Sequence, residues 1–200
     1  RWRMPASSSS VAGVMNALRK KNLAPADVAY VFLTHIHLDH AGGAGEFMHQ
    51  FPNARLVVHP RGARHMADPA RLIASAMTVY GEAEFTRIYG AIRPVDPNRI
   101  IEAPDGFRLD FNGRPLLFLD TPGHARHHYC ILDERYVADP ATTVEQIAST
   151  IVHEATHARL ERYGIEYEEQ RRARIEAICF RRERAFAARL PDSAELQEGI

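Results

Sequence analysis

The strongest constraint on the fold is an apolar run that stops at a cluster of metal-ligand side chains. The stretch Val28 to Leu33 is followed at once by Thr34-His35-Ile36-His37-Leu38-Asp39-His40, and then by Gly42 and Gly43. A short apolar run of this kind reads as a buried strand, and a strand end gives a loop a fixed base. His35 and His37, two apart, can face one way, while Asp39 and His40 can face a neighbouring position on the turning loop. The two glycines suit a tight backbone that launches the next helix. Imidazole and carboxylate are the donors a zinc-like ion takes, and the chain holds 11 histidines.

Around this loop, strand-like and helix-like stretches alternate as far as Asp139. Val11, Val14, Met15 and Leu18 recur at helical spacing over 8–21, and a helix is expected after the glycines over 43–50. Residues 55–59 read as a strand. The pattern over 69–90 is helical, stopping at Gly81 or running on to Gly90. Strands are expected at 99–103, 107–111, 115–120, 128–132 and 135–138, with Asn112-Gly113 as a hairpin turn. Thr121-Pro122-Gly123-His124 repeats the order strand, turn, histidine, which makes His124 a third candidate ligand. His127 and His128 read as strand residues or as supports behind the ligands, and Cys130 reads as core.

The segments THIHLDHAGG and TPGH resemble the metallo-β-lactamase-fold hydrolases, from about residue 10 to residue 139. That resemblance implies an α/β (α+β) chain with part of an αββα sandwich, since the second half of the sandwich has no counterpart here. It assigns His35, His37 and His124 to one metal, and Asp39 and His40 to another. It also implies a bridging aspartate at a strand end, for which Asp139 is the candidate. The implied cofactor is Zn2+, one or two ions, with iron or manganese as substitutes. The implied chemistry is attack by metal-activated water on an ester, thioester, lactone or amide carbonyl, with Asp39 orienting that water.

Beyond Asp139-Pro140 the character changes to two long helical stretches, 143–163 and 166–189. Within the first lies His153-Glu154-Ala155-Thr156-His157. Histidines four apart share a helix face and can share an ion, with Glu154 placed as general base. Glu176, on the following helix, can complete a His2Glu set. This segment, over about 143–190, resembles gluzincin metallopeptidases, which implies His153, His157 and Glu176 as ligands and Glu154 as catalytic base. Cys179 lies near Glu176 and reads as a buried structural thiol. The organisation expected is therefore 1–139, an incomplete metal-binding domain, followed by 140–200, a C-terminal helical hairpin.

Composition narrows the function further. Basic and acidic residues balance at 25 each, which removes the electrostatic case for nucleic acid as a partner. No apolar run is long enough to span a membrane, and RWRMPASSSS lacks the apolar core of a secretory signal. With only two cysteines, a reduced cytoplasmic setting is expected. The reading is a metal-dependent hydrolase acting on a small-molecule ester, thioester or lactone. The alternatives are a zinc peptidase-like activity of the C-terminal helices, or a joined or truncated product that binds metal without turnover. Helix 69–90, with Met77, Tyr80, Phe85 and Tyr89, either overhangs the first site or packs as core.

Overall fold

The computed structural model describes residues 8–122, 125–163, 165 and 171–190. The chain divides into two compact units, Arg1–Asp133 and Glu134–Ile200. In the first, β1 (Tyr30–Phe32), β2 (Arg55–Val58) and β3 (Ile100–Glu102) form a parallel sheet in the order β1-β2-β3. β4 (Phe107–Phe111), β5 (Arg114–Asp120) and β6 (Tyr129–Asp133) form an antiparallel meander. Asn112 and Gly113 turn β4 into β5 with φ of 53° and 77°, the mirror-image turn that matches strand twist.

Side-chain alternation decides how these sheets stack. Val31, Leu56, Val58 and Ile100 face a cluster with Val11, Val14, Met15 and Leu18 of α1 (Ser8–Lys20). α3 (Ala44–Gln50) adds Phe47 and Met48 to the same cluster. The intervening residues Tyr30, Phe32, Val57 and Ile101 face the other way, onto Phe107, Leu109, Phe118 and Tyr129 of the second sheet. The period-2 pattern thus makes a helix–sheet–sheet stack, three layers of an αββα arrangement. Mixed α/β architecture and a C-terminal helix pair are both present.

Several local features differ from the sequence expectation. Gly42 and Gly43 have ordinary right-handed backbone angles, with φ of −58° and −88°, so conformational freedom is not their role. The glycine that matters there is Gly45, where a Cβ would lie 2.1 Å from the Arg93 carbonyl oxygen. The helical pattern over 69–90 breaks at Gly81 into α5 (Ala70–Tyr80) and α6 (Glu82–Tyr89). An additional helix, α4 (Pro60–Ala67), starts on Pro60, a residue suited to a first helical turn. The expected strand at 135–138 is instead a short helix, α7 (Glu134–Ala138), so Asp139 follows a helix and not a strand end. Tyr136-Val137-Ala138 before Asp139 reads as a strand end, but so short a segment cannot separate the two periods.

Arg99 closes the end of α3. Its guanidinium donates to the carbonyls of Met48, Phe51 and Ala54. Arg99→Met should therefore cost about 2–4 kcal/mol in urea unfolding, because three carbonyls lose a charged donor. Arg99→Lys should recover only part of it, since an ammonium lacks the planar fork. A loss under about 0.5 kcal/mol for Arg99→Met would mean that water replaces the guanidinium without penalty.

The second unit carries α8 (Val144–Arg162) and α9 (Arg172–Ala187). Thr143 caps α8, its hydroxyl accepting the Gln146 N–H while the Gln146 side chain accepts the Thr143 N–H. His153 lies against Glu183 and His157 against Glu176, so the two helices run antiparallel. Among the described residues, no helix is long and apolar enough to cross a membrane.

Candidate metal centres

The first histidine loop leaves β1 at its C-terminal end. Leu33 still pairs with β2 through its N–H to Val57 O, and His35 follows two residues later, 2% exposed. His37 is the residue from which α2 (Leu38–Ala41) starts, which places Asp39 and His40 in its single turn. The His35 ring centroid lies 4.8 Å from that of His37 and 4.0 Å from that of His40. Asp39 is exposed, with its Oδ2 3.4 Å from His40 Nε2.

The opposite wall comes from the start of β6. Tyr129 N–H donates to Thr34 O at 3.0 Å, and the Tyr129 hydroxyl donates to Val57 O at 3.1 Å. Burial holds the Tyr129 phenol above its ordinary range, so it stays a neutral donor. This double tie brings His127 to 5.6 Å from His37 and His128 to 5.2 Å from His35, ring to ring. His127 Nδ1 accepts the Ile36 N–H, and His128 Nδ1 pairs with Thr121 Oγ1 at 2.7 Å. Burial first, then the neighbouring His37, lower the His127 pKa, which favours the neutral imidazole that ligates metals.

Of the residues expected here, the structure thus brings together His35, His37 and His40, with Asp39 at the edge. His124 lies outside the described residues, and Asp139 belongs to the second unit, where its Oδ1 accepts the Ala141 N–H. Two groups escaped sequence reasoning. His59, 6% exposed, accepts the Arg61 N–H at Nδ1, which leaves its Nε2–H to donate to Asp120 at 3.3 Å. Both stand where an apolar strand ends in a polar residue, VVH and LFLD, the same signal that singled out His35. Beside the loop, Leu38 packs with Phe85 and Tyr89 of α6, while Tyr80 stays exposed. The 69–90 segment is therefore core at Phe85 and Tyr89. Burial, then the Tyr80 hydroxyl, push the Tyr89 phenol up to about 12.

In the second unit His153, His157 and Glu176 are brought together. His153 Nε2 lies 3.2 Å from His157 Nε2 and 3.3 Å from Glu176 Oε2, which in turn is 3.4 Å from His157 Nε2. Glu183, absent from the sequence expectation, accepts the Nδ1–H of His153 at 2.8 Å and the Ser149 hydroxyl at 2.7 Å. Cys179 is fully buried, and its thiol and a donor atom of each histidine lie within 4.8 Å of one another. Burial, then the carboxylates of Glu176, Glu154 and Glu183, push that thiol up to about 11. Glu154 itself is exposed.

Residues 4–137 match the model of the metallo-beta-lactamase superfamily, and the chain belongs to that family. That match stops short of α8 and α9. Among individual relatives, it is 30% identical to the metallo-beta-lactamase fold-containing protein ST1585 of Sulfurisphaera tokodaii, over 54% of this chain and 42% of that one. It is also 30% identical to hydroxyacylglutathione hydrolase of Citrobacter koseri, over 63% of this chain and 36% of that enzyme. A solved structure, the metallo-beta-lactamase family protein TTHA1429 of Thermus thermophilus, aligns at 27% identity and a TM-score of 0.48, over 65% of this chain and 45% of that one. The chain spans less than half the length of each of these proteins.

Proposed function

We propose that the first unit is the metal-binding part of a hydrolase that opens an ester, thioester or lactone carbonyl. The observation that carries this reading is the convergence of His35, His37 and His40 at the end of β1, faced by His127 and His128. The donor set fits a zinc-class divalent ion, since it offers clustered imidazoles and one carboxylate. His35 and His37 would hold it with His124, and Asp39 and His40 would hold a second ion. When bound, such an ion supplies Lewis acidity and water of lowered pKa.

The chain's own residues do the rest. Asp39, exposed at the loop edge, accepts a proton from an incoming water and orients it toward a carbonyl carbon. Asp120 holds the His59 ring and Thr121 holds the His128 ring, each by a hydrogen bond. A thioester is the first substrate to try, because one relative is named for hydrolysing hydroxyacylglutathione.

The test is hydrolysis of a thioester and of a lactone by zinc-loaded protein. Activity should vanish with a chelator and return with zinc, iron or manganese. Metal uptake without turnover of either substrate would leave the chain a metal-binding protein and defeat the hydrolase reading.

A further inference from the structure

We propose that α8 and α9 hold a zinc-class cation in a closed, structural site made by His153, His157, Glu176 and Cys179. This goes beyond the hydrolase reading, which concerns the other unit, and differs from an HExxH peptidase centre in its fourth ligand.

Donor spacing is the first argument. Four ligands on one tetrahedral zinc, at about 2.0–2.3 Å from it, stand about 3.3–3.6 Å from each other. The three separations among His153 Nε2, His157 Nε2 and Glu176 Oε2 run from 3.2 to 3.4 Å. The Cys179 thiol and a donor atom of each histidine lie within 4.8 Å of one another, which puts the thiol beside the two imidazoles. A catalytic zinc keeps one position for water, while a structural zinc fills all four with protein donors. Here the fourth donor is a fully buried thiol one helical turn after Glu176.

The group behind the ligands is the second argument. Glu183 holds Nδ1–H of His153, so Nε2 keeps its lone pair toward the cluster, and Ser149 holds the other Glu183 oxygen. A carboxylate behind a ligating imidazole is how metal sites fix ring and tautomer. The third argument concerns what joins the helices. Between the helices, Ser149, His153, Thr156 and His157 of α8 and Glu176 and Glu183 of α9 set polar groups beside the few buried apolar residues there, Ile175 and Ala187. A helix pair normally presents apolar residues at such positions. A cation bound by two residues of each helix supplies the missing cross-link. Glu154, the expected base, is exposed on α8, and a closed site holds no water for it to activate.

Cobalt(II) titration of the full chain tests this, because thiolate ligation gives a near-ultraviolet charge-transfer band that histidine and carboxylate do not. The band should develop in the wild-type protein, persist in Cys130→Ser, and disappear in Cys179→Ser and Cys179→Ala with helical circular dichroism retained. Glu183→Gln should keep the band but weaken cobalt affinity by about 10–100-fold. Removing the metal should lower the thermal midpoint of the wild-type helices more than that of Cys179→Ala. No band in the wild type, a band that survives both Cys179 variants, or one that follows Cys130 would overturn the proposal. So would casein cleavage that Glu154→Ala abolishes, since it requires an open site. Should both Cys179 variants lose their helices even with zinc present, a Glu183→Gln affinity equal to wild type would overturn it instead.

Discussion

Asp39→Ala is expected to lower thioester or lactone hydrolysis by about 10²–10⁴-fold, the usual cost of losing a group that handles the reacting proton. The fold should survive. Asp39 is exposed on a single helical turn, where it pairs with His40, and surface changes of this kind fall within about 0.5 kcal/mol. Asp39→Asn separates the two duties of the carboxylate, since it keeps an oxygen acceptor and the side-chain shape while losing the charge. Its activity should fall nearly as far. Glu154→Ala, in the second unit, should leave the same hydrolysis within about twofold, far short of the loss expected at Asp39. The reverse pattern, with Glu154→Ala inactive and Asp39→Ala unimpaired, would move the chemistry to the helix pair. Rates at saturating zinc, measured alongside bound metal, keep lost affinity apart from lost catalysis.

The second large effect is expected in the core. Phe118→Ala should destabilise the first unit by about 3–5 kcal/mol. Phe118 is fully buried and touches three rings, with centroids at 5.9 Å for Phe32, 5.5 Å for Phe107 and 5.2 Å for Tyr129. Phe32 belongs to the parallel sheet, and Phe107 and Tyr129 belong to the antiparallel one. The ring is therefore where the two sheets meet, and the cavity left by alanine cannot close without moving one of them. Phe118→Leu should cost roughly 1–2 kcal/mol, as it keeps most of the volume. Urea unfolding followed by circular dichroism gives both values. A shift below about 1 kcal/mol for Phe118→Ala would show that the sheets do not depend on this contact.

What the sequence made legible follows from how local each signal is. The run Val28–Leu33 and the pair Asn112-Gly113 carry their own instructions, and both elements form where they were expected. The histidine loop was legible because its ligand types sit within six residues, at a strand end. Glu183 was not, because its partner His153 lies thirty positions earlier and only antiparallel pairing of two helices joins them. His59 and Asp120, sixty-one positions apart, were hidden for the same reason. Gly45 could not be separated from Gly42 and Gly43 by spacing, since its requirement is a carbonyl of Arg93 that arrives from a distant loop. The strand expected at 135–138 failed because so short a segment fits either period.

The amide of Tyr129, bonded to Thr34 O, is a latch as well as a link between strands. Thr34 immediately precedes His35, and Tyr129 immediately follows His128, so this bond, with that of the Ile36 N–H to His127 Nδ1, fastens two stretches of imidazoles that the chain separates by some ninety residues. If that latch opens, both stretches lose their mutual register together, and the centre must be reassembled before it can take up an ion. Deuterium uptake at this single amide therefore clocks the opening of the whole cluster. A slow-exchanging Tyr129 amide would mean that loading is limited by how fast an ion arrives, and a fast-exchanging one that it is limited by how often the cage is shut.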